Sequence, residues 1–183
     1  TSQQTQITRQ ELTSIEEIAN IDFVETSGVG QMTFAGSAQS SGQGGYAYYP
    51  SFGYSYSGST ILSVAEQGNG GDVWINRYAF FYAGYWEPGQ DGYATLLHEI
   101  GHALGLKHPF EASNNGYILD DSLDDESHTV MSYTEAPNSK LISVTGTATS
   151  YSWQTSQLRP STLMPLDIEA LQYLYGANLT TRT

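Results

Sequence analysis

The chain has 183 residues, room for one compact domain with a real core but not comfortably for two. Its 19 acidic residues against 6 Lys and Arg give a net charge of −13, a field that repels phosphate backbones and anionic headgroups and argues against nucleic-acid and membrane-surface partners. No apolar run approaches the roughly 18 residues that cross a bilayer, and there is no cysteine, so membrane insertion, disulfide frameworks, cysteine–zinc sites and thiol nucleophiles fall away while the redox compartment stays open.

The chain starts at Thr1 without a charged-then-apolar leader and reads as trimmed, so a targeting segment is not visible in it. Thr8 with Glu11 three residues on has the form of a capping box, and Leu12, Ile15, Ile18 and Ala19 recur at helical spacing; a helix is expected over 8–20. Strand-like runs follow at 21–25, 31–35, 45–50, 60–65 and 72–76, separated by Gly/Ser-rich turns. GNGGD at 68–72 has the look of one glycine–aspartate calcium repeat, but a single copy has nothing to stack on and is read as a turn. A second helix is expected over 93–105. The Ser-, Thr- and Tyr-rich segment between it and the last helix is expected to be mostly irregular. Within it, the acidic run from Asp120 to Glu126 lacks an EF-hand ligand pattern and is read as a solvated loop. The last helix starts at Pro165 and ends at Gly176, read as a left-handed cap, with Ile168, Leu171, Leu174 and Tyr175 on its apolar face.

The chemistry lies in HEIGHALGLKHP, residues 98–109. His98 and His102 are four apart, so on a helix both imidazoles leave the same face, one turn above the other. Gly105 supplies a residue that can enter a left-handed turn without a side-chain clash, after which the chain reverses and His108 approaches the same point. Pro109 prevents further helix. Three neutral imidazoles suit a catalytic Zn²⁺ with an open fourth position, where a water is acidified to a pKa of about 7. Glu99 stands beside such a metal rather than among its ligands, which is the place of a general base. The remaining histidine, His128, stands alone in sequence and is given no metal role.

These residues carry a family resemblance. The extended zinc motif resembles the metzincins; Pro109 after the third histidine, TVMSYT at 129–134, PLDIEALQYLYGAN at 165–178 and GYAYYP at 45–50 narrow it to the serralysin-like proteases, over most of the chain. The resemblance implies an α+β, zincin-like metzincin fold: a twisted, mixed five-stranded sheet, an active-site helix, a Met-turn and a C-terminal helix. It implies that residues 1–183 are a catalytic domain, without the strand that precedes the first helix and the calcium-binding repeat domain that follows in that family. It implies zinc on His98, His102 and His108, Glu99 as base, and Gly105 and Met131 as structural residues at the site, Met131 packing beneath the histidines. Tyr133 would be a weak extra ligand at rest and would then swing to donate to the oxyanion. Calcium belongs rather to the repeat domain. The implied protein is a bacterial, secreted, extracellular zinc endopeptidase, a monomer acting on proteins or peptides, with a proteinaceous inhibitor and flanking domains left open. The loops at 109–128 and 134–164 depart from the family's pattern, so cleavage preference does not carry over. Two competing readings are a matrix-metalloproteinase-like enzyme, which Tyr133 and Pro109 oppose, and a non-catalytic zinc module within an adhesin or surface protein, which an intact Glu99 opposes.

Overall fold

A computed structural model of the chain describes residues 2–78, 84–112 and 116–180. Helix α1 runs over Ser2–Ile18, longer upstream than the capping pattern suggests. Thr8 is no cap: its hydroxyl lies inside the helix and donates to the Gln4 carbonyl at 2.9 Å. Nothing in residues 2–7 breaks a helix, and Ile7, Glu11 and Ile15, spaced by four, form its buried stripe. Glu11 faces inward with that stripe rather than back to a helix end.

Strands β1 (Phe34–Ser37), β5 (Val73–Asn76) and β2 (Gly45–Ala47) make a three-stranded sheet in the order β1-β5-β2. β1 runs parallel to β5 and β2 antiparallel to it, with Tyr46 opposite Trp74. β3 (Phe52–Ser57) and β4 (Thr60–Glu66) form a separate hairpin, turned at Gly58 and Ser59. Among the described residues the strands therefore make one mixed three-stranded sheet and two hairpins, not one five-stranded sheet. The run at 21–25 is no strand; the Phe23 amide is taken by the Glu16 carboxylate at 2.7 Å instead of by a neighbouring strand.

Helix α2 (Asp91–Ala103) lies against β2 and β5, and α1 packs on it in turn. Leu96, Leu97, Ile100 and Ala103 of α2 join Ile15, Val73, Met131 and Leu171 in one buried cluster. Each fully buried aliphatic side chain contributes about 1.5–3 kcal/mol, so this cluster fixes the helix that bears the site. Helix α3 (Pro165–Tyr175) closes the chain with Pro165 in its first turn. Leu171 is wholly buried and Ile168 and Tyr175 partly so, but Leu174 is half exposed, which narrows the expected apolar face. Gly176 has positive φ (85°) but extended ψ (157°), so it turns the chain outward instead of closing a left-handed cap. That turn pairs the ends of α1 and α3: Asn20 N–H donates to the Gly176 carbonyl and Asn178 N–H to that of Ile18.

The segment expected to be irregular holds a second long hairpin, β6 (Lys140–Thr147) and β7 (Ser150–Gln157). Its base is tied where the Leu158 amide donates to the Ser139 carbonyl at 2.7 Å. Nearly every residue of both strands is exposed, so the alternation that would betray a half-buried strand is muted by Ser and Thr. Among the described residues no helix is long and apolar enough to cross a membrane.

Candidate metal centre

α2 carries His98, Glu99 and His102 through the core, all three buried. After Ala103 the helix ends as expected: Gly105 takes φ +101°, the Leu106 amide donates back to the Gly101 carbonyl at 2.9 Å, and the chain reverses. A side chain at 105 would be strained in that backbone region. The reversal returns His108 to the histidines on α2. The Nε2 atom of His108 lies 3.2 Å from that of His98 and 3.0 Å from that of His102.

The outer nitrogens of the three rings are occupied. Nδ1–H of His98 donates to the Val130 carbonyl at 2.7 Å, that of His102 to the Leu106 carbonyl at 2.8 Å, and that of His108 to the Glu111 carboxylate at 2.8 Å. A carbonyl or carboxylate only accepts, so these bonds fix the proton on Nδ1 and leave a lone pair on every Nε2. Burial, with His102 and His108 adding to it, pushes His98 down to about 4; burial lowers His102 as well, so both rings stay neutral. The His108 lone pair, 3.2 Å from that of His98 and 3.0 Å from that of His102, is repelled by both unless a cation sits between them. Their spacing matches three corners of a tetrahedron with metal–nitrogen bonds of about 2.0–2.1 Å, so the donor set fits Zn²⁺. Among the described residues they are the group that could hold a metal ion.

The turn at residues 129–133 packs against α2 and offers its Val130 carbonyl to His98. Met131 is buried, and a Cβ on Gly101 would stand 2.6 Å from the Met131 sulfur, so only glycine lets helix and turn approach this closely. Asp167 of α3 holds the turn: its carboxylate accepts from Thr129 Oγ1 at 2.6 Å, Val130 N–H at 2.8 Å and Met164 N–H at 2.9 Å. Because the Val130 carbonyl receives His98, Asp167 reaches the site through a single residue, Val130. Tyr133 is largely exposed; its hydroxyl donates to His108 Nε2 at 2.8 Å, and its ring stacks on His98 at 5.6 Å and 22°.

Glu99 lies next to the cluster with one carboxylate oxygen, Oε2, buried and unpartnered, and burial raises its carboxyl to about 8. A dication among the imidazoles would favour the ionised form and draw that value down again. The surrounding cleft, about 650 Å³, is bounded on one side by residues 42–47 and Tyr49 and on the other by Val130, Ser132 and Tyr133. Beyond His98, towards the start of α2, it reaches Arg159, whose guanidinium donates to Asp91 at 2.7 Å and Glu126 at 2.9 Å.

The structure thus gathers His98, Glu99, His102, His108 and Tyr133, with Gly105 and Met131 shaping their surroundings. His128 stays apart, its ring held by Asp125 and Ser127. Glu111 and Asp167 escaped the sequence reading. The first follows His108 by three residues, and the second stands in the first turn of a helix, where an acidic residue looks like an ordinary end charge.

No protein-family model matches the chain. It is 35% identical over 186 residues to a protein named serralysin from Proteus mirabilis, an alignment covering 96% of this chain and 35% of that protein. It is 32% identical over 182 residues to a metallopeptidase AprA of Pseudomonas marginalis (92% and 33% covered) and 32% identical over 176 residues to a metalloprotease AprA of Pseudomonas entomophila (91% and 32%). The chain is serralysin-like. It spans about a third of the length of these curated relatives. The cofactor that follows from this likeness is Zn²⁺, in agreement with the donor set of the serralysin-like chain.

Proposed function

We propose that this chain is the catalytic domain of a secreted, extracellular zinc endopeptidase that cuts internal peptide bonds of proteins or peptides, with the metal on His98, His102 and His108. The observation that carries the reading is the convergence of three Nε2 lone pairs beside a buried carboxylate that none of the imidazoles bonds. Zinc bound there supplies a Lewis acid for the scissile carbonyl and lowers the pKa of a water to about 7. Glu99 then takes the proton of the attacking water and delivers it to the leaving amine. The alternative of a non-catalytic zinc module gives no reason for that carboxylate, since a site closed for structure needs no base.

Tyr133 acts as the second polar group. Partial burial of this otherwise exposed side chain raises its phenol above the ordinary value, with Glu99 and Glu111 adding to the shift, so it stays protonated and can donate to a developing oxyanion. In the present arrangement that proton goes to His108, and release of the bond frees the hydroxyl. The turn carrying Met131 fills the role of a Met-turn: it packs against Gly101 of α2 and presents the Val130 carbonyl to His98. Substrate is read as an extended chain lying along β2, because β2 borders the cleft and, among the described residues, is an edge strand paired with β5 alone. The Arg159–Asp91–Glu126 group then faces one side of the scissile bond. The domain is read as a monomer, with no calcium role given to its described residues.

The test is hydrolysis of an internally quenched peptide. Activity lost on treatment with phenanthroline and restored by one equivalent of zinc supports the reading, whereas a zinc-loaded protein inert towards a broad peptide mixture overturns it.

A further inference from the structure

The three imidazoles are not held alike. His98 and His102 give their Nδ1 protons to main-chain carbonyls, but His108 gives its proton to a carboxylate, Oε1 of Glu111, at 2.8 Å. We propose that Glu111 is a positioning residue of the metal site, its carboxylate fixing the tautomer and ring plane of His108 and strengthening it as a ligand. The inference rests on the reading of the histidine trio as a zinc site.

The asymmetry follows from how each ring is placed. His98 and His102 are set by helix geometry and burial, whereas His108 lies in a loop beyond the Gly105 turn, where no regular element orients it. Phe110 stacks on the His108 ring at 5.0 Å and 7°, which restricts the ring plane but offers no hydrogen-bond partner. Glu111 supplies the missing partner. A turn brings it back, closed by its own amide donating to the His108 carbonyl at 3.2 Å. Lys107 pins this turn, donating to the main-chain carbonyl of Glu111 and, at 3.2 Å, to that of Tyr117.

A charged acceptor draws on an N–H more strongly than a neutral carbonyl does, and the pull raises electron density at the far nitrogen of the ring. Glu111 also sets one negative charge against the two positive charges of a bound zinc. His108 thereby gains from a charged hydrogen-bond partner the orientation it lacks in helical support.

The experiment is a zinc titration of the whole chain against a chromophoric chelator, with E111A, E111Q and H108A beside the parent, followed by visible spectra of the cobalt(II)-loaded forms. E111A is expected to bind zinc about 10–100-fold more weakly than the parent. E111Q should fall between them, since the amide oxygen still accepts the Nδ1 proton but carries no charge, and its similar shape keeps the test valid should E111A fail to fold. The cobalt bands should shift in both variants, a change that a merely structural side chain would not produce. Parent-like zinc affinity and cobalt spectra in E111A and E111Q, with zinc binding lost in H108A, would overturn the role of Glu111 alone. A parent that binds no zinc, or an H108A variant that binds it normally, would overturn the metal-site reading and this inference with it.

Discussion

Tyr133 and Glu11 show how differently two polar side chains are used. Tyr133 bonds to His108 and is largely exposed, so its hydroxyl is free to change partner. Tyr133→Phe is expected to lower kcat by about 10²–10³-fold with KM nearly unchanged, the signature of a donor engaged only in the transition state. Steady-state kinetics beside a melting curve check this, since a structural tyrosine would alter the melt and spare kcat. Glu11 is 1% exposed, both its carboxylate oxygens lack a partner among the described residues, and burial raises its pKa well above the ordinary value. A carboxyl with a raised folded pKa destabilises the fold as pH climbs from the unfolded value of about 4.3 towards the folded one. Glu11→Leu is therefore expected to stabilise the protein by about 1–3 kcal/mol at pH 8 and by less at pH 4. Thermal melts at the two pH values test the sign, and an equal effect at both would contradict it.

Among the elements, α2 was the most legible in sequence and the β6–β7 hairpin the least. Two histidines four apart can share one ligand face only on a helix, and a glycine three residues later announces the turn that returns the third. Neither inference depends on tertiary context, and helix and turn lie within two residues of where the sequence puts them. The hairpin strands bury almost nothing, so no apolar alternation distinguishes them from loop. For the same reason, replacing residues 140–157 by a short Gly-containing turn from Ser139 to Leu158 is expected to change unfolding free energy by less than about 1 kcal/mol and to leave zinc content unaltered. Calorimetry and metal analysis of the deletion variant check both. The turn at 129–133 is the opposite case, because it depends on one residue of α3. Asp167→Ala removes the acceptor of three donors, two of them in that turn, and should cost at least about 2 kcal/mol. It should also weaken zinc binding, because Val130, whose carbonyl orients His98, is no longer held at its amide.

For the whole molecule, the sheet, α1 and α3 hold α2 and the 129–133 turn against each other, and the site forms where they meet. That convergence was only partly readable. Glu111 sits in a loop whose path depends on Lys107 capturing distant carbonyls, and Asp167 acts across 37 and 38 positions of sequence. Spacing alone reports neither contact. Because three ligands come from a helix and the loop after it, zinc should stabilise the folded state by about 2.7 kcal/mol at a hundred times its Kd, so a chelator should lower Tm. The most direct test of the account is Glu99→Gln, with zinc content and hydrolysis of a quenched peptide measured on the same samples. One zinc per chain is expected, as in the parent, with kcat reduced at least ~10²–10⁴-fold, because the carboxylate serves the proton and not the metal. A zinc-loaded Glu99→Gln protein that cleaves at the parent's rate would contradict it.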